Sequence, residues 1–200
     1  MAMLLVASGV SLFTRAARTG ALMLIVLYLI SALLWVPRIV SAPQAFGMWA
    51  GFAELFSLTT AAIALYASLT PNSTQLLRFA CRAFGVCAIA FAGAHFSAVN
   101  ETAAMVPAYF PFGQKFWAIA TGLGHLLAGI AIVIGIRAQL AARLLTAMFL
   151  VFVALVWVPM LMNGPVPHMT WAGNAITLAL IGAAWVISDW VGDSPRSRSQ

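Results

Sequence analysis

The sequence predicts an all-α fold, an integral membrane helical bundle of about six transmembrane helices carrying a parallel internal repeat. Three observations predict it. Hydrophobic residues make up 64% of the chain and charged residues 7%, where a soluble domain has about 25% charged residues to face water. Apolar runs close to the ~20 residues needed to cross a bilayer recur along the chain. Finally, "WVPRIVSAPQAFGMWAG" from Trp35 and "WVPMLMNGPVPHMTWAG" from Trp157 share one punctuation: WVP, five residues, Pro, five residues, WAG.

The spans are expected at roughly 20–40, 48–68, 79–98, 114–136, 142–162 and 171–190. Between them lie "SAPQAFG", "TPNSTQ", "NETAAMVPAYFPFGQK", "RAQLAAR" and "NGPVPHMT", where proline and glycine stop helices. The tail "DSPRSRSQ" is short and polar, as disordered termini are.

Shifted by 122 residues, the two motifs align without a gap, and about eighteen identities accumulate between residues 4 and 62. Arg15 and Ala16 fall on Arg137 and Ala138, and Ala61 and Ala62 on Ala183 and Ala184. Low-complexity apolar sequence matches Leu and Ala by chance, but not WVP, Pro and WAG in register. The repeat makes spans one and two the counterparts of spans five and six, running the same way, so its axis lies along the membrane normal. Residues 4–14 then match only the second half of a crossing helix. The expected organisation is a partial first repeat over 1–70 (half a helix plus two spans), a cytoplasmic linker over 71–78, a complete four-helix repeat over 79–190 and a disordered cytoplasmic tail over 191–200. A native start upstream of Met1, or loss of the missing helices, accounts for the partial repeat better than a signal peptide. The arginines follow the apolar stretch instead of preceding it.

Basic residues set orientation. Arg15, Arg18, Arg78, Arg82, Arg137, Arg143, Arg196 and Arg198 fall on the side of the termini, and Arg38 and Lys115 on the other. Eight against two places both termini in the cytoplasm of a multi-pass inner-membrane protein. These bases sit in the gaps between apolar runs, not on a stripe, so the net charge of +6 does not indicate nucleic-acid binding. The lipid bilayer is the partner that composition requires. Trp35, Trp49, Trp117, Trp157 and Trp171, with Pro37, Gly51, Pro159 and Gly173 of the repeated motif, fall near the outer ends of the spans, as an interfacial aromatic belt does.

Ionisable groups inside a bilayer are costly, ~2.5–3.5 kcal/mol at mid-depth, and are functional candidates for that reason. His95 lies about one turn from the outer end of span three, Glu101 in the following loop, and Glu54 about two turns into span two. His125 lies ~16 Å below the outer end of span four. Together they suggest a polar track descending from the outer side. The plainer alternatives are a histidine satisfied by a neighbouring helix or water, a Glu54 bonded to Ser57, and a solvated Glu101. A haem between His95 and His125 is disfavoured, because span boundaries put them ~10 Å apart in depth. No clustered metal-ligand spacing occurs. Gly122, Gly124 and Gly129 suit close helix packing. Phe46, Trp49 and Trp171 could line a quinone slot or simply join the belt. Cys81 and Cys87, six apart, point ~240° away from each other on a helix and form no CxxC.

The stretch from about 79 to 190 resembles the DoxX-like family of four-helix bacterial membrane proteins. The resemblance rests on "FGVCAIAFAGAHF", "TAAMVPAYFP" (102–111), "GLGHLLAGIAIVIGIRAQLAARLL" (122–145), "WVP" (157–159) and "WAGNAITLALIGAAW" (171–185). It implies a redox-associated membrane subunit, linked to quinone or thiol chemistry, that docks a redox partner protein and is not an enzyme by itself. The chain departs from that family's commoner pattern at two positions: His125 stands where many relatives carry an acidic residue and His95 where they carry a lysine. Roles tied to those side chains therefore do not carry over. The alternatives are a small-solute or lipid transporter, suggested by the parallel repeat and the midplane histidine, and a scaffold without chemistry. A homodimer would cover the helix face left open by a partial repeat.

Overall fold

The computed structural model describes residues 2–162 and 167–192. Six helices within them are long and apolar enough to cross a membrane: span 1 (Ala17–Ser41), span 2 (Phe46–Ser68), span 3 (Thr74–Ser97), span 4 (Gln114–Ile134), span 5 (Ala138–Met162) and span 6 (His168–Val191). The chain is a multi-pass membrane protein with an all-α bundle fold. The tail with Arg196 and Arg198, and Pro165 of the second motif, lie outside the described residues.

Each span starts or ends where its local chemistry dictates. Span 4 ends on Gly135 at φ 78°, a left-handed position that glycine adopts without a Cβ clash. The Gly135 and Ile136 amides both donate to the Ala131 carbonyl, closing the helix end inside a turn of three residues. Span 3 begins at Thr74, so the linker expected over 71–78 is shorter. Polar Gln75 and Arg78 continue the helix into the aqueous interface, which an apolar-run criterion does not see. Ser73 Oγ donates to the carbonyls of Ala67 and Thr70, tying the turn to the end of span 2.

The WVP motif interrupts its helix in both copies. In span 1 the helix breaks after Leu33 and resumes at Val36. In span 5 the helix widens into a π-helical stretch at Val153–Trp157 before resuming at Val158. Proline explains both. Pro37 and Pro159 have no N–H to donate, and their rings crowd the preceding turn.

Before span 1 lies the short apolar helix Ala2–Ser11. It packs on span 1, with Gly20 against Ser8 and Ser11. Its ten residues fall far short of a crossing. Spans 3–6 form a ring in which 3 packs on 4, 4 on 5 and 5 on 6, while span 2 packs on spans 1, 3 and 6. The core is built of small residues and a few large ones. Ala64, Ala80, Ala142 and Ala184 surround the fully buried Phe84, Leu145 and Ile187. Close backbone approach gives van der Waals contact in lipid, where the hydrophobic effect supplies no drive between helices.

Three buried threonines are satisfied within their own helices. Thr59, Thr146 and Thr177 donate to the carbonyls of Leu55, Ala142 and Gly173. An unpaired polar group in hydrocarbon costs several kcal/mol, so this pairing is what allows them there.

Candidate functional site: a histidine pair between spans 3 and 4

Spans 3 and 4 cross at two glycines. A Cβ on Gly129 would stand 2.6 Å from the Gly85 carbonyl oxygen, and a Cβ on Gly85 would stand 2.9 Å from that of Gly129. Toward the outer side, Gly122 meets His95 and Phe96 of span 3. Gly122 and Gly129 thus both face span 3, and Gly124 faces Met148 of span 5. Gly85 is a packing point that the sequence reading missed.

This register places the two histidines. Gly122 opposes His95, and His125 follows three residues later, about one turn further along span 4. The imidazole rings of His95 and His125 lie 5.1 Å apart, centroid to centroid, tilted by 53°. The ~10 Å depth separation expected from the span ends does not occur, for two reasons. Span 4 begins about a turn and a half beyond the level where span 3 ends, so the outer ends are not flush. The side chains also lean toward each other, because helical Cβ atoms tilt toward their own N-terminus. Span 3 runs outward, so His95 leans inward. Span 4 runs inward, so His125 leans outward. Packed at this distance the rings touch directly, and a haem plane between them would have to part them.

His125 is 2% exposed. Phe91, Phe149 and Phe152 wall it at 5.4, 5.6 and 6.3 Å between centroids. Its Nδ1 is buried and has no hydrogen-bond partner. Native structures rarely leave such a group unpaired, so the site asks for a ligand or water at that nitrogen. His95 is half-buried. Its Nδ1 lies 3.4 Å from the Ala118 carbonyl and 3.3 Å from Thr121 Oγ1. A carbonyl only accepts, so that contact places a proton on His95 Nδ1 and a lone pair on its Nε2. Phe152 stacks on His95 at 6.4 Å and 21°, and the π-helical stretch begins at the next residue.

The other expected track members stand apart. Glu101 is exposed on the short outer helix Val99–Met105. Glu54 is half-buried on span 2, which packs on spans 1, 3 and 6, whereas His125 is on span 4, which packs on 3 and 5. Among the described residues no hydrogen bond, ion pair or ring contact joins either carboxylate to the histidines. Ser57 Oγ is buried without a partner, so it does not bond Glu54. No group of three or more His, Cys, Asp or Glu is placed to hold a metal among the described residues. Cys81 and Cys87 are separate buried thiols.

The repeated motif has a packing role. A Cβ on Gly51 would meet the indole of Trp35 at 2.5 Å, and one on Gly173 would overlap the indole of Trp157. The same tryptophan-on-glycine contact therefore joins spans 1 and 2 and, 122 residues later, spans 5 and 6. Trp35 also carries the Arg38 guanidinium at 4.9 Å. Trp49, Trp117 and Trp171 serve differently. Each is the fourth residue of an inward-running span. Trp49 Nε1 donates to the Pro43 carbonyl at 2.9 Å and Trp117 Nε1 to that of Pro111 at 2.8 Å. Amphipathic rings at helix entrances suit the membrane–water boundary. Phe46 packs on Gly93, between spans 2 and 3 and away from the histidines. No protein-family profile, curated protein or solved structure matches the chain.

Proposed function

We propose that the chain is a DoxX-like membrane subunit that holds a small hydrogen-bonding redox headgroup, of quinone type, at the His95–His125 pair. The observation that carries this reading is the unpartnered Nδ1 of His125 inside an aromatic box. A quinone carbonyl accepts the hydrogen bond that His125 Nδ1–H has to give, and the flat ring suits walls of phenylalanine. His95, in ring contact with His125, can pass or take a proton at its Nε2 lone pair while its Nδ1–H stays on Ala118. Phe152 is the movable wall. It borders the π-helical stretch, and such stretches accompany functional rearrangement. On this reading electrons reach the headgroup from a docked redox partner, and the chain lies in an inner membrane with both termini cytoplasmic.

A transporter is the second reading. The interrupted helices of spans 1 and 5 and the recurring tryptophan–glycine contact favour it, because transporters are often built from repeats with broken helices. One experiment separates the two. The protein is purified in mild detergent and its bound small molecules are extracted for mass spectrometry. Stoichiometric quinone, lost in His125→Phe, is the expected result. Protein that carries phospholipid alone overturns the redox reading and leaves transport or scaffolding.

A further inference from the structure

A groove with a volume of about 760 Å³ lies elsewhere, between spans 2 and 3. From the geometry of this groove we propose that it binds one anionic phospholipid from the leaflet on the side of the termini, its phosphate between Arg78 and Arg82.

The groove is two-toned. Trp49, Phe52 and Phe56 of span 2 and Phe79 and Val86 of span 3 make its apolar walls. Phe79 and Val86 are both more than half exposed on the outside of the bundle, so the groove is open to lipid. Gln75, Arg78 and Arg82 line its other end. Arg78 and Arg82 are four residues apart and share a helix face, where two like charges repel. Both are exposed, and among the described residues neither has an ion-pair or hydrogen-bond partner. The whole chain has four acidic residues, and none lines this groove.

Depth fits a phosphate. Arg82 is the ninth residue of span 3, ~12 Å along the helix from Thr74. Its side chain leans toward the helix N-terminus and snorkels to the interface on the side of the termini. Arg78, one turn nearer the start, reaches the same layer. Two guanidinium forks at headgroup depth suit the oxygens of one phosphate. From Arg78 to Ala90 the groove runs ~18 Å, enough for one acyl chain, which spans half of a ~30 Å hydrocarbon core. Basic pockets between membrane helices bind anionic headgroups in this way. The site is distinct from the histidine pair: no histidine lines it, and it opens beside span 2, not span 5.

The test is lipid retention. The purified protein is exchanged into nanodiscs containing equal phosphatidylglycerol and phosphatidylcholine, released, and analysed by native mass spectrometry. Wild type is expected to retain phosphatidylglycerol over phosphatidylcholine on the order of tenfold. Arg78→Gln/Arg82→Gln is expected to fall to near parity, while Arg143→Gln, a basic residue on the same side but off the groove, keeps the preference. Inorganic phosphate at millimolar concentration should not displace the lipid, because the acyl chain contributes to binding. Parity in wild type overturns the proposal whether or not the double variant folds. So does an undiminished preference in the double variant, or displacement by inorganic phosphate.

Discussion

The Gly85 carbonyl oxygen lies 2.6 Å from the place where Gly129 would carry a Cβ. Gly129→Ala must therefore push spans 3 and 4 apart, and it also disturbs the Gly122–His95 contact two turns away. Overpacking of this kind costs about 1–3 kcal/mol. Thermal unfolding in detergent should show a clear drop for Gly129→Ala and Gly85→Ala. Gly182→Ala, with open space around it, should leave the transition where it is, and equal behaviour of all three would remove the crossing as a packing point.

His125 offers a test that separates folding from function. Its Nδ1 has no partner in the protein, so losing that nitrogen costs no hydrogen bond. His125→Phe puts a ring of similar shape among Phe91, Phe149 and Phe152 and should hold or raise thermal stability. His125→Ala opens a cavity and should cost on the order of 2–5 kcal/mol. A His125→Phe variant that unfolds at far lower temperature would mean that the imidazole has a structural partner.

Much of this arrangement was legible in the sequence. Apolar length and loop punctuation located all six spans, because crossing a bilayer demands ~20 apolar residues whatever the neighbours are. The helix ends were less legible. Thr74, Gln75 and Arg78 are polar yet helical, since a helix continues into the headgroup layer where hydropathy no longer marks it. The candidate site was half legible. Both histidines stood out as costly residues, but their contact depends on how far span 4 overshoots span 3 and on side-chain lean, and neither is a property of one helix. Glu54 stood out for the same reason as the histidines, but its helix packs on spans 1, 3 and 6 and not on span 4, which carries His125. Trp35 and Trp157 were legible as a repeat and were assigned to the belt. The sixteen-residue step from each Trp to the Gly it covers was the missed sign of packing.

That distinction can be measured. An interfacial tryptophan tolerates tyrosine, because a ring with a polar edge still suits the boundary. A tryptophan packed over a glycine loses contact when its second ring is removed. Trp35→Tyr and Trp157→Tyr should each destabilise by about 1 kcal/mol, while Trp171→Tyr, more than half exposed, should not. Equal tolerance at all three positions would return Trp35 and Trp157 to the belt.

Topology can be read with the native cysteines as a silent background. Cys81 and Cys87 are 6% and 4% exposed, so an impermeant maleimide should leave wild type unlabelled. Ala108 and Thr74 are exposed, with span 3 between them. The proposed orientation, argued from eight basic residues against two, puts Thr74 on the cytoplasmic side. Ala108→Cys should therefore label in intact cells and Thr74→Cys only after the membrane is opened. The reverse pattern would invert the orientation and carry Arg78 and Arg82 to the other leaflet. Labelling of both in intact cells would break the assignment of residues 74–97 as a crossing.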